Sequence, residues 1–162
     1  MNLCFDECMA PKWFRQLAIF FEKRKSPIRA VHLLDQLRQG AKDDAVIDWL
    51  IGQSPPIMVI SGDSGKKTKR GDPRMHLLCP QNKITSVFIA PKLCQKDGFE
   101  KVRMMMVCVP ELGKAYNGPK GARYRLETSG QFYRVKEWPL QTRFSFPIAA
   151  SQPYVQSQLF PP

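Results

Sequence analysis

The residues Ile57-Met58-Val59-Ile60 form an uninterrupted apolar run, with Ser54-Pro55-Pro56 before it and Ser61-Gly62 after it. A short run that is apolar at every position and bounded by turn residues is typical of a strand buried on both faces of a sheet. Such strands occur mainly in parallel sheets, because the helices that connect parallel strands cover both faces. Residues 57–60 therefore predict the interior of a parallel α/β sheet.

The segments on either side of this run alternate between strand and helix patterns. Strands are predicted at Asn2–Phe5, 28–34 and Ser86–Ile89, and helices at 11–25, Asp43–Ile51, 74–79 and 99–109. In the first helix the predicted apolar stripe consists of Trp13, Leu17, Phe20 and Phe21, with Phe14 and Ala18 beside it. The alternation predicts a three-layer α/β/α fold with a central, mainly parallel sheet.

Three regions are predicted along the chain. Residues 1–112 form the α/β domain, residues 113–140 a basic extension, and residues 141–162 a Pro-rich and loosely attached tail. The extension contains two strand patterns, 122–126 and Phe132–Val135, that predict a hairpin around Ser129-Gly130. Its cations are interleaved with Tyr116 and Tyr124, a composition that suits binding to single-stranded bases. These cations are Lys114, Lys120, Arg123 and Arg125.

Charge and composition limit the function further. The 162 residues include 25 Lys and Arg against 14 Asp and Glu, for a net charge of +11, which indicates a polyanionic partner such as nucleic acid or an anionic membrane surface. No apolar run approaches the ~18 residues that a membrane-spanning helix needs, and no secretory signal is expected. The five cysteines form no CxxC pair, so we expect reduced thiols in a cytoplasmic protein rather than a zinc site.

Acidic residues follow the predicted strands. Asp6 and Glu7 come directly after the first strand, and Asp63 follows the run at 57–60. Asp43 and Asp44 open the second helix. Because the carboxyl ends of parallel strands meet at one edge of a sheet, three segments bring carboxylates to that edge. Hard oxygen ligands of this kind bind Mg²⁺ or Mn²⁺.

Each of these acids also has an ordinary structural explanation. Asp43 or Asp44 at a helix start is commonly a cap or a partner of the helix dipole. Asp63, within Gly62-Asp63-Ser64-Gly65, is a common turn residue. Asp6 is less easily explained in this way, and the convergence of all three segments favours a metal site.

A basic loop follows Asp63 directly. The segment from Ser61 to Thr68 is not a nucleotide-binding P-loop, because Ile60 and Lys67 occupy positions that would have to be Gly and Ser or Thr. The loop is instead a candidate site for a nucleic-acid backbone beside a metal, although a solvated basic loop would look the same. Its candidate nucleic-acid-binding residues are Lys66, Lys67, Lys69, Arg70 and Arg74.

The ordered set of motifs in residues 1–90 resembles the PIN domain superfamily, in particular the small PIN-like branch related to VapC toxins. The opening Phe5-Asp6-Glu7-Cys8-Met9-Ala10-Pro11 is similar to the strand and Asp-Glu-Asn-Leu-Pro segment of that branch. His32-Leu33-Leu34-Asp35 is similar to its His-Leu-x-Asp segment. Gly40-Ala41-Lys42-Asp43-Asp44 matches its helix start, and Val59-Ile60-Ser61-Gly62-Asp63 its buried strand ending in an aspartate.

The resemblance implies a Mg²⁺- or Mn²⁺-dependent ribonuclease that hydrolyses RNA, typically the toxin of a toxin–antitoxin pair. Carried over by position, Asp6, Asp43 and Asp63 are the catalytic, metal-binding acids, Asp44 is the alternative to Asp43, and Glu7 is a weaker candidate. Expected partners are RNA, an antitoxin protein and a second copy of the chain, without a membrane.

One departure from the family pattern leaves a second function open. Many PIN domains have a further acid soon after the third one, where this chain has Ser64-Gly65-Lys66-Lys67. The alternative is a non-catalytic module with a degraded PIN-like site. Such a module would bind RNA through the basic loop, or an acidic protein through its net positive charge.

Overall fold

Seven short strands form one sheet. The computed structural model describes residues 1–62, 75–135 and 143–146, with only the backbone described for His76 and for residues 143–146. The strands are β1 (Asn2–Phe5), β2 (Arg29–His32), β3 (Met58–Ser61), β4 (Ser86–Ile89), β5 (Arg123–Leu126), β6 (Phe132–Val135) and β7 (Arg143–Phe146).

Helices connect the strands. They are α1 (Pro11–Lys23), α2 (Asp43–Ile51), α3 (Met75–Gln81), α4 (Pro91–Cys94), α5 (Gly98–Val107) and α6 (Val109–Tyr116). A single turn of 3₁₀ helix at Leu33–Asp35 follows β2.

The strand order in the sheet is β2-β1-β3-β4-β5-β6-β7. The first five strands in this order pair in parallel, and β6 and β7 are added in antiparallel fashion. Helices cover both faces of the sheet, so the predicted three-layer α/β/α fold with a mainly parallel sheet is confirmed.

The two faces of the sheet bury different side chains, because neighbouring residues of a strand point to opposite faces. Leu3, Phe5, Met58 and Ile60 lie in the larger core cluster, together with buried residues of α1, α5 and α6. Cys4 and Val59 lie in the second cluster, with buried residues of α2 and α3. Burial on both faces explains why β3 is apolar at nearly every position.

The structure corrects the predicted first helix. The helix ends at Lys23 instead of residue 25, and Lys25 has a positive φ of 49°. The buried side chains of α1 are Phe14, Leu17 and Phe21, whereas Trp13 is 38 % exposed. The buried face of α1 is therefore displaced from the predicted stripe, and Trp13 lies at the margin of the buried face.

The other boundaries shift for local reasons. The strand predicted at 28–34 ends at His32, whose Nδ1 accepts a hydrogen bond from the Leu34 N–H (3.2 Å) and opens the 3₁₀ turn. The helix predicted to stop before Pro80 continues to Gln81. The helix predicted at 99–109 is divided between two helices. Helix α5 ends at Val107, α6 begins at Val109, and Cys108 is the cap residue between them. The sequence analysis missed α4 and α6.

The C-terminal part of the chain continues the sheet. The predicted hairpin is present as β5 and β6, and β5 pairs in parallel with β4, so the basic extension joins the central sheet. Within the expected loose tail, Arg143–Phe146 pairs with β6, whereas residues 141–142 and 147–162 lie outside the described residues. No helix in the described ranges has the length and apolar character needed to cross a membrane.

Candidate functional site

The candidate site lies where the direction of strand connection reverses. From β1 the chain crosses through α1 to β2 on one side, and from β3 it crosses through α3 to β4 on the other. In open α/β sheets, ligands bind beyond the carboxyl ends of the two strands at such a switch point. Asp6 directly follows β1 and Gly62 directly follows β3, so both residues border this position.

Hydrogen bonds hold Asp6 across the switch point. Its backbone N–H donates to the Ile60 carbonyl (2.9 Å), which prolongs the pairing of β1 with β3. Its Oδ2 accepts a hydrogen bond from the buried Ser61 hydroxyl (2.6 Å), and its Oδ1 accepts one from the Glu7 N–H (2.7 Å). The carboxylate is thus fixed in orientation while the residue remains partly exposed.

Two cysteines surround Gly62 beside the Asp6 carboxylate. Cys8 Sγ accepts the Gly62 N–H (3.0 Å) and donates to Asp6 Oδ2 (3.3 Å), and Cys94 Sγ donates to the Gly62 carbonyl (3.6 Å). Desolvation of the sulfur and, secondarily, the Asp6 charge raise the pKa of Cys8 to about 12. The Cys8 thiol therefore stays protonated as a donor to Asp6.

Two further contacts hold the loop that carries Asp6. Glu7 Oε2 accepts the Gly40 N–H (2.9 Å), which ties this loop to the turn before α2. The buried His32 bonds the Met9 carbonyl through Nε2 (2.9 Å), while its Nδ1 accepts from Leu34. These two hydrogen bonds fit the tautomer that has a proton on Nε2. Glu7 and His32 both act by positioning.

The start of α2 brings a second carboxylate to the same edge. Lys42 occupies the N-cap position without a side-chain cap, so Asp43 and Asp44 lie in the first turn of the helix. Asp43 is partly buried and Asp44 is exposed. Burial and, secondarily, the charges of Asp6 and Asp43 raise the pKa of Cys79 to about 12. The negative charges of Asp6 and Asp43 therefore both influence the buried thiol of Cys79.

Part of the predicted site lies outside the described residues. This applies to Asp63 and to the whole set of basic-loop candidates, Lys66, Lys67, Lys69, Arg70 and Arg74. Within residues 1–62 and 75–135, no three His, Cys, Asp or Glu side chains come together closely enough to hold a metal ion. The described part of the site thus supplies Asp6 and Asp43, and the third predicted ligand is Asp63.

The donors that are described fit a hard divalent cation. Asp6 Oδ1 accepts one hydrogen bond from the described residues, and a carboxylate oxygen has a second lone pair. Asp43 supplies a second carboxylate at the same edge, and Mg²⁺ is commonly held by one or two protein carboxylates together with water and substrate phosphates. Asp6 and Asp43 would hold the ion, with Asp44 next to Asp43 in the sequence.

Sequence analysis missed three positioning residues, Ser61, Cys8 and His32. Ser61 could have been found from its place at the last position of the buried strand, where a polar residue needs a partner. The structure corrects one of the two rings that were predicted to lie among the cations of the extension, because Tyr124 is buried whereas Tyr116 is partly exposed. Tyr124 is buried and stacks on Phe132 (ring centroids 5.3 Å apart), and the Tyr116 hydroxyl donates to the Pro56 carbonyl (2.7 Å).

Comparison with family models, curated sequences and solved structures finds no relative of this chain. The fold and the geometry at the ends of β1 and β3 are therefore the basis for inferring a function. No family model matches the chain, and no curated protein or solved structure shows significant similarity to it.

Proposed function

We propose that this chain is a metal-dependent endoribonuclease that hydrolyses RNA phosphodiester bonds. The observation that carries the proposal is the placement of Asp6 at the switch point of the sheet, with Asp43 on the same edge. The net charge of +11 supports a polyanionic substrate. The PIN-like order of motifs in residues 1–90 supports RNA as that substrate.

The described side chains have separate roles in this proposal. Asp6 and Asp43 are metal ligands, and Asp63 is the expected third ligand. Ser61 and the Glu7 N–H keep the Asp6 carboxylate in one orientation, so that little reorganisation is needed when it binds a cation. Held by these carboxylates, Mg²⁺ or Mn²⁺ would supply an activated water and would neutralise negative charge on the phosphoryl group.

The test is cleavage of a pool of single-stranded and structured RNA by the purified full-length chain. Asp6→Asn preserves the size of the side chain but removes its charge, and Asp48→Asn makes the same change at an exposed position of α2. Because even partners of metal ligands change activity by about 10- to 100-fold, Asp6→Asn should reduce cleavage at least about 100-fold. Asp48→Asn should cleave like the parent, and EDTA should abolish cleavage.

Cleavage that survives both EDTA and Asp6→Asn would contradict the proposal. Asp63→Asn tests the third ligand in the same assay, and a reduction similar to that of Asp6→Asn is expected. Growth arrest on expression of the parent but not of Asp6→Asn, relieved by a co-expressed partner protein, would support the narrower proposal that the chain is a toxin with an antitoxin.

A second candidate function is favoured by the sequence after Asp63, where Ser64-Gly65-Lys66-Lys67 stands in place of the further acid that many PIN domains have. In this case the chain is a non-catalytic module that binds RNA, or an acidic protein, through its positive charge. It predicts salt-sensitive RNA binding without cleavage, and Asp6→Asn should preserve or strengthen that binding by removing a negative charge. Poor RNA affinity at physiological salt would favour a protein partner instead.

A further inference from the structure

Two aromatic rings lie together on the surface between α1 and α5. Trp13 is 38 % exposed and Phe99 is 60 % exposed, and their ring centroids are 6.2 Å apart in an edge-to-face arrangement. Gly98 makes this pair possible, because a Cβ at that position would lie 1.7 Å from Trp13 Cδ1. The indole therefore rests directly on the start of α5, and Phe99 projects beside it.

This ring pair is on the same edge of the sheet as Asp6. Trp13 is in the first turn of α1, which follows β1 and the loop that carries Asp6. Phe99 is in the first turn of α5, which follows β4 and α4. Cys94, at the end of α4, contacts Gly62 at the end of β3. The two helices that carry the rings therefore begin at the edge of the sheet where the candidate site lies.

The surroundings of the ring pair are positively charged. Lys12 and Lys96 are exposed, and the Lys101 ammonium opposes the rise that burial causes in the pKa of Cys94. Two acids flank Phe99 in the sequence: Glu100 forms an ion pair with Arg103 (2.7 Å), and Asp97 caps α5 by accepting the Glu100 N–H (2.8 Å). Exposed aromatic rings among cations match a nucleic-acid strand, whose bases stack while its phosphates bind the cations.

We propose that Trp13 and Phe99 form a stacking site for an unpaired nucleobase of an RNA strand that extends from the candidate site. The inference rests on the proposed function, because it names the form of RNA that the same edge of the sheet binds. A duplex presents no free base face, so this ring pair selects single strands. Lys96 and Lys101 contact the phosphates on either side of the stacked base.

The test measures binding of a labelled single-stranded RNA of about 12 nucleotides, within the range of known site sizes, to the full-length Asp6→Asn chain in EDTA. Phe99→Leu and Trp13→Leu keep an apolar side chain and remove the aromatic face. Phe20→Leu makes the same change about two helical turns further along α1, at a partly buried ring beside Arg24. Urea unfolding of each variant verifies that it is folded.

Each ring variant should weaken single-strand binding about 5- to 100-fold, the range measured for loss of one base–aromatic stack. The dependence of affinity on salt should not change, because no phosphate contact is lost. Lys101→Gln should instead reduce the salt slope by about 0.7, the value for one phosphate contact on a single strand. Phe20→Leu should bind like the Asp6→Asn parent, and no ring variant should alter duplex binding.

Two results would overturn the inference. One is an affinity of both ring variants for single-stranded RNA within about twofold of the affinity of the Asp6→Asn chain, because loss of one base–aromatic stack weakens binding by more than this. The other is an equal loss of single-strand and duplex binding. If the ring variants change only the self-association of the chain, or its capture by a protein partner, the ring pair is a protein contact and the inference is wrong.

The experiment separates this inference from the proposed function. If the Asp6→Asn chain binds no RNA at any salt concentration and the chain with Asp6 cleaves none with Mg²⁺, both fail. If the unsubstituted chain cleaves RNA with Mg²⁺ and the ring variants bind RNA normally, only the stacking site fails. If the ring variants lose single-strand binding and the unsubstituted chain shows no metal-dependent cleavage, the stacking site is supported and the chain is a non-catalytic RNA-binding module.

Discussion

Gly62 is the residue at which the end of β3 passes closest to the sulfur atoms of the site. A Cβ at this position would lie 2.8 Å from Cys94 Sγ and 3.2 Å from Cys8 Sγ. Both sulfurs also hydrogen-bond the Gly62 backbone, so neither can move away without losing a contact. The absence of a side chain at residue 62 therefore allows the loop after β1 and helix α4 to meet over β3.

We expect Gly62→Ala to destabilise the fold by about 1–3 kcal/mol, the usual cost of overpacking a tight contact. Gly113→Ala is the matched control, because a Cβ at Gly113 has no atom within 4 Å and the residue lies inside α6. That control should stabilise the chain by about 0.5–1 kcal/mol through its higher helix propensity. Urea unfolding measures both changes.

The sulfur contact itself is tested by a double variant. Cys94→Ala removes the nearer sulfur, so Gly62→Ala should cost clearly less free energy of unfolding in that background than in the parent. An equal cost in the two backgrounds would show that the Cys94 contact does not determine the effect.

At the scale of elements, an ion pair fixes α1 against the turn that follows β2. The Arg15 Nε donates to both oxygens of Asp35 (3.0 and 3.1 Å), and a second guanidinium nitrogen also bonds Oδ1. The Arg15 hydrogen bonds lower the pKa of the Asp35 carboxyl below its ordinary value of 3.8. Both side chains are substantially exposed, so the contribution to stability is small and sensitive to salt.

The pH dependence of this pair has a definite sign. A carboxyl group with a lowered folded-state pKa contributes stability at pH values above its unfolded-state pKa, and this contribution is lost as the pH falls through the folded-state value. A double-mutant cycle of Arg15→Gln and Asp35→Asn should therefore show a small favourable coupling at neutral pH. The coupling should begin to decrease below the ordinary carboxyl pKa of 3.8 and disappear once the pH is below the lowered folded-state pKa of Asp35. A coupling that persists in acid would show that the contact is not ionic.

At the scale of the whole molecule, the core buries thiols on both faces of the sheet. Cys4 and Cys79 belong to one cluster and Cys108 to the other, and all three are fully buried. All five cysteines are free, and burial raises the pKa of these three to about 12. The folded chain therefore keeps protons that the unfolded chain releases above pH 9.

This proton difference makes stability fall with increasing pH. Between pH 9 and about 12 the unfolded state binds fewer protons than the folded state, so the free energy of unfolding decreases. Cys79→Ala removes one such group, and its unfolding free energy should decline less steeply than that of the parent, by up to about 1.4 kcal/mol per pH unit. Below pH 8 the difference between the two proteins should be constant. Parallel curves through the alkaline range would contradict the prediction.

Much of the fold could be predicted from local patterns. β1, α2 and β4 have the predicted bounds, because an apolar run or an amphipathic repeat between turn residues is a local signal. The margins of α1 and the division between α5 and α6 could not be predicted. Trp13 has the spacing of a buried residue, but its ring lies against the start of α5 beside Phe99 and remains 38 % exposed.

By itself, the sequence determined the parallel α/β class, the acids that follow its strands and the positive charge of the chain, since these depend on residue type and order. Only the tertiary structure decided which groups meet at the switch point. The contacts of Asp6 with Ser61, of Glu7 with Gly40 and of Trp13 with Phe99 join segments that are distant in the chain. Hydrophobic patterns specify how much surface a segment buries, and the packing of helices on the sheet decides its neighbours.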